Sequence, residues 1–226
     1  MSKKILIVAA HPDDEVLGCF ATVAKLINKG YEAYTLILGE GKRSRENTEE
    51  PNNHKKELEI LNNEIIKANK KIGIKKVFIE SFPDNRFDSV DLLDIVKVVS
   101  KIKNKIKPNI IFTHYEKDLN IDHQITYKAV ITATRPMKDE TVKQIYSFEI
   151  LSSTEWNYPL SFSPDTFFEV DKTINKKVDA MKMYRSELCK YPHPRSLKAI
   201  KLNAKYHGMR VGKKYVEAFK SVRIIK

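Results

Sequence analysis

The chain has 226 residues and a formal net charge of +12, from 41 Lys and Arg against 29 Asp and Glu. This length suits one sizeable α/β domain, and since no Gly-Ser-rich or Pro-rich linker divides the sequence, we predict a single domain over residues 1–226. The basic residues are interleaved with acids rather than gathered into a tail, which is typical of a solvated surface and favours an anionic substrate over nucleic acid.

The first predicted element is a buried strand that ends on a histidine and three acids. Residues 5–9 are apolar and rich in β-branching, which is typical of a strand buried on both faces of a parallel sheet. His11 follows it, and Pro12 ends the strand pairing. The acids Asp13, Asp14 and Glu15 are then suited to cap the next helix. Metal binding explains the same residues differently, because an imidazole and a carboxylate three positions apart can bind one divalent ion.

Strands and helices alternate through the first half of the chain. We predict strands at residues 5–9, 31–38, 76–80 and 109–113, separated by amphipathic helices. This alternation predicts a Rossmann-like α/β fold, with a mostly parallel sheet and helices on both faces. Ligands of such folds gather at the carboxyl ends of the strands, so the Pro12 turn, the loop after residue 38, the Asp84-Asn85 turn and the residues after Thr113 should share one rim.

The residues after the fourth predicted strand supply a third metal-ligand candidate, His123. Together with His11 and Asp14 it gives two imidazoles and one carboxylate, the composition of a hydrolytic zinc site with an open position for water. Asp13, adjacent to Asp14, is then the natural general base.

Two further side chains of this segment are candidates for orienting the ligands. His114 and Asp118 lie close in sequence to His123, and a ligating histidine usually donates its second ring N–H to a fixed acceptor. Ordinary loop hydrogen bonding is the competing interpretation for both.

The second half of the chain is less regular. We predict strands at residues 144–151 and 167–171, a helix that carries Ile174, Val178, Met181 and Leu188, and a last helix with His207 on its apolar side. His207 is interpreted as a hydrogen-bonded core histidine. Trp156 is suited either to stacking on a sugar or to burial in the core.

Two motifs of the chain resemble those of a known family. His11-Pro12-Asp13-Asp14-Glu15 after the first strand, with Asp118-x-Asn120-x-Asp122-His123 after a later one, is similar to the zinc-dependent N-acetylglucosamine deacetylases that include the phosphatidylinositol-glycan L and LmbE-like enzymes. The resemblance covers most of the chain in the order of elements, and the first motif is its more specific part.

The resemblance implies that His11, Asp14 and His123 bind Zn²⁺ and that Asp13 is the base that later protonates the leaving amine. Fe²⁺ and Co²⁺ stay open as alternatives, because the ligand types do not separate them from zinc.

Asn120 departs from the family pattern, in which many members carry a histidine at this position. An asparagine amide can donate a hydrogen bond to an oxyanion but cannot transfer a proton. Either Asp13 therefore performs both proton steps, or another histidine, His114 or His193, assists.

The resemblance also implies substrate contacts. Family members usually place an arginine in the loop after the second strand, for which Arg45 is our choice and Arg43 the alternative. Asn85 lies on the same predicted rim. The turn with His193 and Arg195 resembles the substrate-shaping end of some members, although two prolines that stiffen a helix start explain it equally well.

The chain is expected to be cytoplasmic. Its two cysteines, Cys19 and Cys189, have no metal-ligand or redox spacing and are predicted to be buried thiols of a reducing compartment. The amino-terminal apolar run is too short for a signal peptide, and no window reaches membrane-spanning length. The oligomeric state is not decided, and a homo-oligomer stays open.

These observations predict a metal-dependent hydrolase that removes the acetyl group of an N-acetylated amino sugar. The sugar is expected to be joined to a phosphate, nucleotide, lipid or other aglycone. The expected pathway is the biosynthesis of bacterial surface glycans or glycoconjugates. Two alternatives stay open. One is hydrolysis of another amide or of a phosphoester at the same metal site, and the other is a basic nucleic-acid-binding module in which the acids only cap helices.

Overall fold

A computed structural model of the protein describes residues 3–41 and 51–226, with side chains except for residues 51–55. The elements in chain order are β1 (Lys4–Ala9), α1 (Asp14–Ile27), β2 (Glu32–Gly39), α2 (Pro51–Ile72), β3 (Lys76–Phe82), α3 (Leu92–Ile106), β4 (Ile110–His114), α4 (Ile121–Ala133), β5 (Gln144–Phe148), β6 (Thr166–Glu169), α5 (Ile174–Met181), α6 (Leu197–Met209) and β7 (Val216–Ile224). One-turn 3₁₀ helices lie at Phe87–Ser89 and Thr154–Trp156.

The described strands form one seven-stranded sheet in the order β3-β2-β1-β4-β5-β7-β6. The five strands from β3 to β5 are parallel, whereas β7 runs antiparallel to both of its neighbours. The predicted mostly parallel α/β sheet is therefore confirmed. Because β1 and β4 are adjacent and parallel, the segments that follow them emerge side by side at the same edge.

The alternation of side chains along β1 builds two hydrophobic layers. Ile5 and Ile7 pack in the layer that includes α1, α2 and α5, while Leu6 and Val8 pack in the layer of α3 and α4. All four side chains are fully buried. Helices consequently cover the sheet on both faces, as a continuous apolar strand requires.

The carboxyl-terminal half differs from the prediction in three elements. The strand predicted at residues 144–151 ends at Phe148, and the helix predicted to reach Leu188 ends at Met181. Leu188 still packs against the core, but from an irregular segment. Strand β7 was not predicted, because the buried acid Glu217 and the half-exposed residues after Phe219 interrupt its apolar pattern.

Glu217 enters the core together with a buried lysine of α5. The Lys177 Nζ lies 2.6 Å from Glu217 Oε1 and donates to the Leu17 carbonyl at 2.7 Å. The Glu217 carboxylate also accepts the backbone N–H groups of Ala21 and Thr22. The ion pair joins α5 to β7, and the hydrogen bonds join both elements to α1.

In the part of the chain that the structure describes, no helix is both long and apolar enough to cross a membrane.

We expect Glu217→Ala to lower the free energy of unfolding by about 3–5 kcal/mol, because it leaves the buried Lys177 ammonium without its partner. Chemical denaturation monitored by circular dichroism measures this change. Asp179→Ala is the matched control, because it breaks an exposed ion pair on the same helix and should change stability by less than about 1 kcal/mol. Equal losses in the two variants would show that the buried pair has no special structural role.

Candidate metal centre and active site

A polar cavity of about 210 Å³ opens beyond the carboxyl ends of β1 and β4, which is far more room than one water molecule needs. Its described lining consists of His11, Pro12, Asp13, Asp14, Leu17, Gly41, Asp84, Asn85, Asn120, His123, Ile150, Ser152, Ser153, Glu187 and Arg195. The site therefore combines the segments that follow β1, β2 and β3, the start of α4 and segments from the second half of the chain.

Three predicted metal ligands meet at the base of this cavity. His11 Nδ1 lies 3.3 Å from His123 Nε2 and 3.4 Å from Asp14 Oδ2, and His123 Nε2 lies 3.3 Å from Asp14 Oδ2. A tetrahedral ion with bonds of about 2.0–2.1 Å needs ligand atoms about 3.3–3.4 Å apart. This nearly equilateral triangle thus has the size that a zinc ion requires.

The electrostatics of the cluster favour a bound cation. Burial alone would lower the pKa of His11, but hydrogen bonds with Asp122 and Asp14 outweigh it and raise that pKa to about 10. Burial of His123 is likewise outweighed, chiefly by the Asp14 charge, and its pKa rises to about 9. The neighbouring carboxylates therefore stabilise a positive charge at the two histidines, either as protons on the rings or as a metal ion between them.

The ring of His11 is held by a carboxylate behind it. His11 Nε2 lies 2.9 Å from Asp122 Oδ2, and the other oxygen of Asp122 accepts the Phe87 N–H at 2.9 Å. Asp122 is fully buried. This contact leaves His11 Nδ1 for the ligand triangle, in the arrangement by which carboxylates orient ligating histidines. Sequence reasoning assigned Asp122 no role, although its position directly before His123 was a signal.

His123 is oriented in the same way by Asp118. Its Nδ1 lies 3.0 Å from Asp118 Oδ1, which leaves Nε2 for the triangle. The Asp118 carboxylate also accepts the hydroxyls of Ser153 and Thr154. The structure thus places Asp118 where an orienting residue would lie.

His114, for which a catalytic role was predicted, lies behind His123. It is fully buried and is absent from the described lining of the cavity. Its Nε2 accepts the Ala10 N–H at 2.8 Å, and its ring stacks on His123 with centroids 4.0 Å apart. Burial lowers the pKa of His114 well below its usual range, which keeps the ring neutral. His114 therefore lies behind His123 and outside the described lining, and the catalytic role predicted for it stays a prediction.

Asp13 is placed as a base should be. It lines the cavity beside Asp14, is only 4% exposed, and adopts the left-handed backbone conformation with φ 88°. Burial raises the pKa of its carboxyl well above the usual range. Its side chain makes no capping hydrogen bond to α1, so helix capping does not explain this residue.

Glu15, the third acid of the first motif, is structural. It is fully buried, and its Oε1 accepts the Tyr184 hydroxyl at 2.5 Å and the Asn69 amide at 3.0 Å. Its Oε2 accepts the backbone N–H of Asp13 at 3.1 Å. Burial raises the pKa of Glu15 to about 7. Glu15 consequently fixes the peptide that carries the candidate base, a role that the sequence analysis missed.

Arg195 reaches the candidate base from the second half of the chain. Its Nη1 donates to Glu187 Oε2 at 3.0 Å and lies 3.4 Å from Asp13 Oδ2. Its Nε donates to the Ser152 hydroxyl at 2.9 Å. Glu187, a lining residue that sequence reasoning missed, is buried beneath the guanidinium.

The other predicted contact residues have different placements. Asn120 Oδ1 caps α4 by accepting the Asp122 N–H at 2.8 Å. Its Nδ2 donates to Asn85 Oδ1 at 2.8 Å. Both side-chain amides line the cavity. His193 is not part of the described lining; its Nδ1 accepts the Arg195 backbone N–H and its ring packs edge-on against Trp156. Predicted contacts Arg43 and Arg45 lie outside the described residues.

Three side-chain interpretations outside the cavity can also be compared with the structure. His207 is buried, with its Nε2 2.6 Å from Glu149 Oε1, as expected of a hydrogen-bonded core histidine. Trp156 is 45% exposed, so the interpretation of it as a core residue is wrong. Both cysteines are free, but only Cys19 is buried, because Cys189 lies half-exposed.

Comparison with known proteins relates this chain to deacetylases. A model of the family described as GlcNAc-PI de-N-acetylase (PIG-L) matches residues 6–134, which include all three candidate ligands. An uncharacterized deacetylase of Escherichia coli (strain K12), YaiS, is 28% identical over 190 residues, 81% of this chain and 91% of that protein. A probable N-acetyl-alpha-D-glucosaminyl L-malate deacetylase 2 of Bacillus cereus is 27% identical over 196 residues, 83% of this chain and 84% of that protein.

A solved structure shares the fold. The N,N'-diacetylchitobiose deacetylase from Pyrococcus horikoshii superposes with a TM-score of 0.76 at 19% identity, over 98% of this chain and 84% of that one. At this identity the likeness concerns the architecture, which agrees with the mostly parallel sheet described above.

Asp122→Asn should weaken zinc affinity about 10–100-fold, because the amide no longer anchors His11 as a carboxylate does. His123→Ala removes a ligand and should abolish stoichiometric binding. Competition with a chromophoric chelator measures both affinities, and Asp94→Asn, an exposed surface change, is the control. Wild-type affinity in the His123→Ala protein would contradict the ligand assignment.

Proposed function

Because the chain belongs to the GlcNAc-PI de-N-acetylase (PIG-L) family, we propose that it is a zinc-dependent hydrolase that removes the N-acetyl group from an amino sugar of the N-acetylglucosamine type. One observation carries the proposal: the triangle of His11 Nδ1, Asp14 Oδ2 and His123 Nε2, with an edge length that suits a tetrahedral ion. The carboxylate of Asp13 lies beside that triangle in the same cavity.

Zinc is supported by the composition of the ligand set. Two imidazoles and one carboxylate leave a fourth position open, as in hydrolytic zinc sites. Fe²⁺ and Co²⁺ bind the same donors, so metal analysis of the purified protein is needed to distinguish them. The ion, when bound, supplies Lewis acidity that polarises the acetamido carbonyl and makes water nucleophilic near neutral pH.

Asp13 performs the proton transfers in this proposal. Its carboxylate accepts a proton from the water whose oxygen attacks the carbonyl carbon. As the carbon–nitrogen bond breaks, the same carboxyl returns the proton to the amine nitrogen, and acetate and the free amino sugar result. A base that must hold a proton between two steps benefits from the raised pKa that burial gives Asp13.

Neighbouring residues hold Asp13 in place. Asp13 is the only residue to which we assign a proton transfer. Arg195 contacts the carboxylate, and Glu15 accepts the Asp13 N–H. His114 and His193 are outside the described lining, so we assign neither of them a proton step. Asn120 Nδ2 is proposed to donate to the developing oxyanion, with a substrate oxygen replacing Asn85 Oδ1 as its acceptor.

Simple assays distinguish this proposal from its two alternatives. Another amide or a phosphoester at the same metal site would also need the triangle, and only a substrate panel distinguishes it. The nucleic-acid-binding alternative assumed that the acids only cap helices. Asp13 and Asp14 are instead buried beside the ligand triangle, and the Asp13 side chain makes no capping hydrogen bond to α1. Zinc-free protein with salt-sensitive DNA binding would favour it.

We propose that the enzyme acts in the cytoplasm, in the biosynthesis of bacterial surface glycans or glycoconjugates, and that residues 1–226 form one domain. Free cysteines support a reducing compartment. The span of the sheet, from β1 to β7, supports the single domain.

Asp13→Asn should retain zinc but lose activity by about 10²–10⁴-fold, because the amide keeps the shape and tolerates the left-handed backbone yet cannot accept the proton. The assay follows acetate release and loss of an acetyl group by mass spectrometry across nucleotide-linked, lipid-linked and simple acetamido sugars. Asp94→Asn serves as the control, since its side chain is exposed.

Loss of metal from Asp13→Asn equal to that from His123→Ala would show that the base is misassigned. Absence of acetate release from every sugar in the panel would favour the other hydrolase.

A further inference from the structure

A long stretch of the carboxyl-terminal part of the chain contains no acid. Residues 188–216 include eight Lys and Arg and no Asp or Glu, and the structure describes all of them. Arg195 pairs with Glu187, and Lys213 Nζ lies 3.7 Å from Glu169 Oε2. The lysines of α6, in contrast, have no described carboxylate within ion-pair distance. Their charge is therefore available to a partner outside the described part of the chain.

Helix α6 carries its lysines beside large apolar side chains. The surface that we call the α6 face consists of Lys198, Lys201, Leu202, Lys205, Tyr206 and Met209. Because successive residues of a helix project about 100° apart, the three lysines form one strip and the three apolar residues form a second strip beside it. Leu202 is 42% exposed, Tyr206 55% and Met209 74%. Lysines next to exposed apolar side chains are typical of helices that lie on the surface of a bilayer.

Exposed aromatic residues extend the α6 face toward the cavity. Lys198 Nζ lies 4.1 Å from the centroid of the Tyr191 ring, and Tyr191 is 53% exposed. Two positions later, His193 packs edge-on against the exposed Trp156. Tyrosine and tryptophan are enriched where proteins meet lipid headgroups, because each ring combines apolar area with one polar group. The aromatic residues therefore suit the same partner as the helix.

Helix α6 lies along the edge of the sheet where the cavity opens. Arg195, just before the helix, donates to Ser152 of the cavity lining. His207, in the last turn, lies 2.6 Å from Glu149, the residue that follows β5. Since β5 is parallel to β4, both ends of α6 are fixed at the carboxyl edge of the sheet. A surface that binds α6 therefore meets the protein next to Arg195, at the cavity.

The composition of the α6 face favours a bilayer over nucleic acid. Phosphates of either partner would attract the lysines. The aliphatic side chains of Leu202 and Met209, however, offer a base neither a ring for stacking nor a strong hydrogen-bonding group. Hydrocarbon accommodates both side chains. They therefore fit the boundary between headgroups and acyl chains.

We propose that the α6 face, together with Tyr191 and Trp156, binds the surface of an anionic lipid bilayer. The lysines contact lipid phosphates, and the apolar and aromatic side chains enter the headgroup region. The cytoplasmic leaflet of a membrane carries anionic lipids, which agrees with the location proposed above. This interaction goes beyond the proposed deacetylase function and does not depend on it, because binding is measured without turnover.

Flotation of the full-length protein with lipid vesicles tests the proposal. The vesicles contain phosphatidylcholine alone, or phosphatidylcholine and phosphatidylglycerol in equal parts. We expect the affinity for the anionic vesicles to be at least about tenfold higher than for the neutral ones, because several lysines reach the lipid surface. Added NaCl should weaken the binding by screening these charges.

Two double variants compare equal changes of charge on two helices. Lys198→Gln with Lys205→Gln removes two exposed charges of the α6 face and should weaken binding to anionic vesicles about tenfold or more. Lys67→Gln with Lys71→Gln removes two exposed charges of α2 and should weaken it less than about threefold. Circular dichroism checks that both proteins are folded.

The single tryptophan of the chain supplies a readout that needs no variant. Trp156 emission should shift to shorter wavelength when anionic vesicles are added, and brominated lipids should quench it, because the ring leaves water. Met209→Gln removes apolar character without removing charge, and should weaken binding several-fold. If the lysine variant does not fold, the salt dependence and the tryptophan shift of the wild-type protein still decide.

Several results would overturn the proposal. Absence of flotation with anionic vesicles at low salt would exclude the bilayer, and equal losses in the two double variants would show that total charge acts rather than the α6 face. Without vesicle binding, a single-stranded oligonucleotide that binds the wild type but not the α6 variant would assign the face to nucleic acid. A dimer that Met209→Gln dissociates would in that case assign it to a second copy of the chain. Acetate release from soluble acetamido sugars decides the deacetylase function separately.

Discussion

The site depends on the contact between the end of β1 and the start of α4. His11 and His123 are 112 positions apart, yet their ring nitrogens lie 3.3 Å from each other and 3.4 and 3.3 Å from Asp14 Oδ2. The parallel pairing of β1 with β4 makes this contact possible, because it delivers both segments to one edge of the sheet. Bringing so many ionisable groups together out of water is unfavourable unless charge and hydrogen bonds compensate. The carboxylates Asp118 and Asp122 provide part of that compensation, and a divalent ion would provide the rest.

The three acids at the start of α1 show how adjacent residues come to have separate roles. Successive residues of a helix project about 100° apart, so neighbouring carboxylates cannot share one environment. Asp14 faces the histidines, Asp13 faces Arg195 and the cavity, and Glu15 points into the core toward Tyr184. One short motif therefore supplies a candidate ligand, a candidate base and a structural anchor.

The sequence was sufficient to predict the first half of the fold and the meeting of His11, Asp14 and His123 in one cluster. Continuous apolar runs revealed β1 to β4, and the topology of parallel sheets then placed His11 and His123 on one rim. Strand β7 was missed because Glu217 is buried against Lys177, a pairing that no local pattern reveals. Glu15 and Glu187 were missed for the same reason, since their partners lie far away in the chain or in irregular segments. The burial of His114 was not foreseen, because sequence spacing does not tell whether the last residue of a strand points to the cavity or into the core.

The family match ends at residue 134, whereas part of the cavity wall comes from beyond it. Ser152, Glu187 and Arg195 line the cavity from segments that also pack on the hydrophobic core through Ile150 and Tyr184. The three candidate ligands thus lie within the family match, whereas this part of the cavity wall lies beyond it. The later stretch could be exchanged between relatives and diversify which glycans are accepted, while the hydrolytic machinery is inherited intact.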